Sequence, residues 1–132
     1  MCLRVCRDQV RFETECETLA EGWLEKKTSS RPHRYQRRYF FLRQRSFSNP
    51  AAANPWLTRS LAYHKIRPDR EDNPPQSVIN IPQTVRAQIY DGCKFSVVDE
   101  AEGTKLVMQL KCGEERHAQL WLAAFAAEWT GQ

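Results

Sequence analysis

Residues 22–42 read GWLEKKTSSRPHRYQRRYFFL, and this stretch spells two strands with a turn between them. Gly22, Trp23 and Leu24 open an apolar run that ends in Lys26 and Lys27, and the cluster Thr28 to Pro32 has the residue types of a turn. Tyr35 to Leu42 is aromatic-rich and suits a pleated, half-buried surface. Side chains alternate along a strand, so Arg38, Phe40 and Leu42 share one face and Arg37, Tyr39 and Phe41 the other. Leu19 to Lys27 and Tyr35 to Leu42 are therefore expected to form an antiparallel hairpin.

Working outward, the segment Gln44 to Thr58 holds Pro50 and Pro55 around Ala51, Ala52 and Ala53. It is too proline-broken for a long helix and longer than an ordinary hairpin loop, which predicts an insertion carrying Trp56. A third strand is expected at Ser60 to Ile66, followed by a second long loop over Arg67 to Gln76. Val78 to Ile81, Val85 to Tyr90, Cys93 to Val98 and Thr104 to Cys112 supply four more strands, with Asp91-Gly92 and Glu102-Gly103 as turns. Such a run of short strands predicts an antiparallel sheet system.

After Gly113 the period changes. Glu114 and Glu115 suit a helix N-terminus, then Ala118, Trp121, Leu122, Phe125 and Trp129 recur at three- and four-residue steps before Gly131. One amphipathic helix is expected to close the domain over an uncovered part of the strands. Residues 1–18 show neither period and are expected to be an N-terminal extension or linker, leaving 19–131 as one domain.

The chain has 132 residues and a mass of 15.5 kDa, with 41% hydrophobic and 27% charged residues, which suits one globular domain. Its most apolar stretch, Leu120 to Ala127, is too short to span a membrane. The opening MCLRVCRDQVRF lacks a signal-peptide core, so a cytoplasmic location with reduced cysteines is expected. Cysteines 2, 6, 16, 93 and 112 are odd in number, without the regularity of a disulfide framework. Trp23, Phe40, Leu42, Phe95, Trp121 and Phe125 are read as core residues. Cys93 and Cys112 are read as core residues in strands, and the other three cysteines as solvent-facing thiols. Neither a metal nor a cofactor is expected, because the histidines at 33, 64 and 117 are scattered singly.

The formal net charge is +4, but it is unevenly placed. Between Glu25 and Arg45 eight basic residues oppose the single acid Glu25, so this segment carries +7 and the remainder of the chain −3. Such a segment is expected to face a negatively charged partner.

Taken in order, Gly22-Trp23-Leu24-Glu25-Lys26, Tyr35 to Leu42, Leu61-Ala62-Tyr63, Lys94 to Val98 and Glu115 to Leu122 resemble a pleckstrin-homology (PH) domain over Leu19 to Trp129. The resemblance implies a mainly β, α+β fold, a partly open seven-stranded barrel of two antiparallel sheets capped by one C-terminal helix. It implies a non-catalytic membrane-targeting or adaptor module that takes phosphoinositide or other anionic lipid headgroups at the open end of the barrel. The family uses a lysine late in its first strand and two basic residues, two apart, in its second. Lys26 and Arg38 match, whereas Gln36 stands where the first of that pair would be. Lys27, Arg31, Arg34 and Lys65 are the further candidate lipid ligands, with His33 and His64 secondary and Thr28, Ser29 and Ser30 as phosphate donors.

The alternative implied by the resemblance is a scaffold that binds a protein partner or itself, using the inserted loop with Trp56 or the helix with Leu120. Nucleic acid is disfavoured, because the aromatics interleaved with arginine alternate between two faces of one strand. Catalysis is not expected: the chain has no phosphate-cradling glycine loop, HExxH or GxSxG.

Overall fold

Strand alternation sets the architecture, because the apolar rows of several strands are buried only when they converge on one interior. A computed structural model describes residues 2–6, 9–48, 56–70 and 72–129, with side chains from Glu15 onward. The described strands are β1 (Cys2–Cys6), β2 (Gln9–Lys27), β3 (Tyr35–Ser48), β4 (Trp56–His64), β5 (Ser77–Asn80), β6 (Val85–Asp91), β7 (Lys94–Asp99) and β8 (Lys105–Lys111). They precede the helix α1 (Glu115–Phe125). Every pairing between these strands is antiparallel.

The hydrogen-bonded order is β5-β4-β3-β2-β8-β7-β6, with β1 also on β2. The two expected sheets are thus continuous. They meet in a short junction where Glu25 and Lys26 of β2 pair with Lys111 and Leu110 of β8. No pairing links β5 to β6 among the described residues, so the sheet is open at that side.

The interior is built from Leu24 of β2, Phe40 and Leu42 of β3, Leu61 of β4, Phe95 and Val97 of β7, and Leu110 of β8, all at most 1% exposed. Ala118, Trp121 and Phe125 of α1 cover this cluster. Each large apolar side chain removed from water in this way contributes about 1.5–3 kcal/mol. The opposite row of β3 is also sheltered: Tyr39 and Phe41 are buried beneath Trp23, His64 and Arg43.

Several sequence expectations change. Trp23, expected in the core, pairs in register with Tyr39 and stands on the outer face at 38% exposure. The strand expected from Leu19 begins at Gln9, so residues expected as an extension continue the sheet. β3 runs on to Ser48 and β4 starts at Trp56, and Gln44 to Phe47 pair with Arg59 to Trp56. Most of the expected insertion is therefore strand, and Pro50, the three alanines and Pro55 lie outside the described residues. Polar residues such as Gln44 and Ser46 read as loop in isolation, whereas a paired partner satisfies their backbone.

At the other end the helix stops at Phe125, with no basic residue in its last turn. Trp129 is not on a helical face: its ring lies 4.2 Å from the Arg59 guanidinium, which also donates to the Glu128 carbonyl at 3.0 Å. Cys93 occupies the turn before β7 rather than a strand, and Cys112 is buried just past β8, its N–H donating to the Cys93 carbonyl at 2.9 Å. Cys16 is exposed as expected, and the side chains of Cys2 and Cys6 lie outside the described residues.

Candidate headgroup-binding mouth

The β2–β3 connection is tied before any ligand arrives. The Thr28 N–H donates to the Arg34 carbonyl at 2.8 Å, and the Arg34 N–H donates to the Thr28 hydroxyl at 3.1 Å. That hydroxyl in turn donates to the Ser30 carbonyl at 3.3 Å. His33 Nδ1 lies 3.0 Å from the Thr28 carbonyl, which only accepts, so Nδ1 carries the hydrogen. Thr28, expected to offer donors to phosphate, spends them within the loop. Ser29, Ser30, Arg31 and Arg34 remain exposed at its rim.

Below the rim, the register places Lys26 opposite Gln36 and Leu24 opposite Arg38. Lys26, Gln36 and Arg38 continue outward the inward-facing row of Leu24 and Phe40, so they stand above the core at the end of the hairpin. The Lys26 ammonium lies 5.7 Å from the Tyr63 ring centre, and that ring packs on Phe40 at 5.1 Å. Arg38 is held from three sides. Its Nε donates to Gln76 Oε1 at 2.9 Å, one Nη to the Arg37 carbonyl at 2.8 Å, and the other to Gln36 Oε1 at 3.4 Å. Gln36 thus faces Arg38 as an acceptor. Guanidinium carries five N–H donors, so two stay available to an anion.

Lys65 is exposed one residue past β4, in the loop whose far end supplies Gln76 to Arg38. Residues 64–69 and 73–76 line a cleft of about 520 Å³. His64 itself is buried on the outer face, its ring edge-on to Phe41 at 5.7 Å. Burial, followed by the nearby Arg43 charge, lowers its pKa below the usual histidine value. It does not reach the mouth.

The +7 segment divides between two faces. Lys26, Arg31, Arg34 and Arg38 belong to the loop and the inward row, whereas Arg37, Arg43 and Arg45 turn to the outer face. Arg37 covers the Trp23 ring at 4.3 Å, Arg43 covers Phe41 at 4.1 Å, and Arg45 donates to the Ser60 hydroxyl at 3.4 Å. Lys27 pairs in register with Tyr35.

Two basic residues that the sequence did not single out come to the same hairpin from the other half of the sheet. Lys94 and Lys111 are register partners on β7 and β8, and each ammonium lies 5.8 Å from the Tyr35 ring centre. The Tyr35 hydroxyl also meets that of Tyr90 at 3.2 Å. Nothing in their spacing marks them, because only the pairing of β8 with β2 carries them there.

The other two singled-out residues lie elsewhere. Trp56 is half-buried in β4 and stacks on Phe47, with ring centres 6.0 Å apart, so it does not stand in a free loop. Leu120 projects from α1 at 65% exposure beside a groove of about 780 Å³ that also includes Trp23. Among the described residues no group of three or more His, Cys, Asp or Glu side chains is placed to hold a metal ion. No described helix is long and apolar enough to cross a membrane.

The sequence profile of the PH domain family matches residues 18–128. No curated protein and no solved structure matches the chain. A profile match over most of the length, on an open antiparallel sheet finished by one C-terminal helix, places the chain in the PH domain family, whose members are generally non-catalytic modules that bind lipids or proteins.

Proposed function

We propose that this PH domain is a membrane-recruitment module that binds anionic lipid headgroups, phosphoinositides in particular, at the end of the β2–β3 hairpin. The observation that supports this most is that Lys26, opposite Gln36, and the restrained Arg38, opposite Leu24, share the inward-facing row beneath a loop whose exposed residues include Arg31 and Arg34. A guanidinium offers phosphate oxygens parallel charge-assisted hydrogen bonds, and an ammonium supplies a compact point charge beside it. Arg38 is oriented by Gln76 and the Arg37 carbonyl, so little side-chain freedom is lost on binding. Lys27 and Lys65 add charge at the margins.

Each basic residue near an anionic leaflet contributes about 1 kcal/mol, so a cluster recruits the domain even though Gln36 leaves one family position uncharged. Binding is expected to weaken as salt rises. The test is co-sedimentation of the Lys26→Ala, Arg38→Ala double variant with phosphoinositide vesicles at two salt concentrations. Strong loss of pelleting is expected, and a variant that pellets as well as its parent would show that the headgroup binds elsewhere.

A further inference from the structure

The loop that joins β2 to β3 carries a second pattern besides its positive charge. Ser29 has Lys27 two residues before it and Arg31 two residues after it, and no other serine or threonine of the chain has a basic residue at both of those positions. No acidic residue occurs from Lys26 to Pro68. The cations are unanswered in three dimensions as well: among the described residues no carboxylate forms an ion pair with Lys26, Lys27, Arg31 or Arg34. Glu25, the nearest acid in sequence, lies 4.0 Å from Lys111 instead.

The fold presents this pattern accessibly. Thr28 and Arg34 close the base of the loop, and the Thr28 hydroxyl is committed to the Arg34 N–H and the Ser30 carbonyl. Beyond that closure Ser29 to His33 are all exposed, and among the described residues they make no hydrogen bond from main chain to main chain. The Ser29 hydroxyl likewise has no hydrogen-bond partner among the described residues. Few bonds oppose the extension of such a segment into another protein's cleft. Ser30 is as exposed, but Thr28 and Pro32 stand where Ser29 has its two cations.

We infer that Ser29 is a phosphorylation site, modified by a serine kinase whose cleft carries carboxylates on both sides of the acceptor, and that the phosphate it gains closes the headgroup mouth. Charge patterns around the acceptor are one means by which kinases discriminate among substrates. The Ser29 hydroxyl oxygen attacks the γ-phosphorus of magnesium-bound ATP. That O–P bond forms as the bond from the γ-phosphorus to the β–γ bridging oxygen breaks, ADP leaves, and the hydroxyl proton passes to the kinase's catalytic aspartate. The product carries about −1.5 to −2 charge at neutral pH and three acceptor oxygens. These stand among Lys27, Arg31 and Arg34 and above Lys26 and Arg38, so they satisfy the cations a headgroup would meet and repel an anionic leaflet. Each unit of charge near such a leaflet changes affinity about fivefold, which makes the expected loss about tenfold to thirtyfold. Closure of the mouth rests on the headgroup reading; the acceptor and its contacts with the loop cations do not.

The test treats the whole folded chain with the catalytic fragment of protein kinase C and magnesium ATP, and locates the phosphate by peptide mass spectrometry. Uptake at Ser29 is expected, about fivefold slower or more in Lys27→Ala and in Arg31→Ala and lost in Ser29→Ala. The phosphorylated chain is expected to melt about 2 °C or more above its parent at low salt, a gap that narrows as salt rises. It is also expected to pellet with phosphoinositide vesicles about tenfold more weakly or less. The acceptor assignment is overturned if no phosphate enters Ser29, if Ser29→Ala takes up phosphate as fast as the parent, or if both flanking variants do. Closure of the mouth is overturned if the melt is unchanged or lower, or if phosphorylated and parent chains pellet equally. If the parent itself does not pellet, the headgroup reading fails and closure fails with it, whereas uptake and the melt still decide the acceptor and its cation contacts.

Discussion

Changing Gln36 to lysine should move stability and headgroup affinity in opposite directions. Gln36 stands opposite Lys26 in the β2–β3 register. Directly opposed residues in an antiparallel pair have Cβ atoms about 4.5–5.5 Å apart, and like charges there are unfavourable on the scale of about 0.2–1 kcal/mol. Gln36→Lys also removes the acceptor 3.4 Å from Arg38, a long bond of little strength, while the shorter bonds to Gln76 and the Arg37 carbonyl remain. The ligand-free variant is therefore expected to melt about 1–4 °C lower than its parent, given the entropy of unfolding of a domain of this size.

With an anion bound, the sign reverses. One more basic residue near the headgroup contributes about 1 kcal/mol, and neutralising the Lys26–Lys repulsion returns up to about another 1 kcal/mol. Together these correspond to an affinity gain of about fivefold to thirtyfold. The assay is vesicle co-sedimentation with phosphoinositide vesicles, repeated with phosphatidylserine vesicles of matched charge, alongside a thermal melt. Gln119→Lys, which adds the same charge at an exposed position on α1, controls for general attraction. If Gln36→Lys binds no tighter than its parent, or no tighter than Gln119→Lys, the inward row does not contact the headgroup and the reasoning fails.

Three further outcomes are expected. Arg59, 2% exposed, donates to Gln44 Oε1 at 2.8 Å and to the Glu128 carbonyl and lies over Trp129; Arg59→Met should cost about 2–4 kcal/mol in urea unfolding and speed exchange at 126–129, and a loss below about 0.5 kcal/mol would contradict its anchoring role. The pKa of His64 is lowered in the folded state by burial and by Arg43, so its contribution to stability is complete above the unfolded value of about 6.5 and is lost as pH falls through that value and then through the lower folded one. Urea midpoints at mildly acid and neutral pH should differ less in His64→Gln than in the parent, and an unchanged difference would remove His64 as the cause. Burial, reinforced by Cys93, pushes the Cys112 thiol up to about 11, so iodoacetamide at mildly alkaline pH should modify exposed Cys16 in the folded protein and reach Cys112 only on unfolding.

Legibility followed the range of the physics. The hairpin was readable because alternation is a local property: Phe40 and Leu42 on one face and Tyr39 and Phe41 on the other hold in the structure. The closing helix was readable from Ala118, Trp121 and Phe125, all buried as its period requires. Trp23 misled, because an aromatic residue beside a strand start looks like core until register assigns its face. The long arms of β2 and β3 were hidden for a related reason. The bulge between Thr18 and Ala20 reverses the alternation: Glu17 pairs with inward-facing Gln44, whereas Glu21 pairs with outward-facing Phe41.

By itself the sequence determined the succession of strands, the helix that follows them and the concentration of positive charge between residues 25 and 45, all properties of neighbouring residues. Tertiary structure decided what that charge can do. Pairing turned Arg37, Arg43 and Arg45 away from Lys26 and Arg38, brought Gln76 to orient Arg38, and carried Lys94 and Lys111 in from distant strands. Among the described residues it also left the second edge of β2 without a strand from Thr14 to Leu24, because whether a backbone edge is satisfied depends on which distant segments reach it.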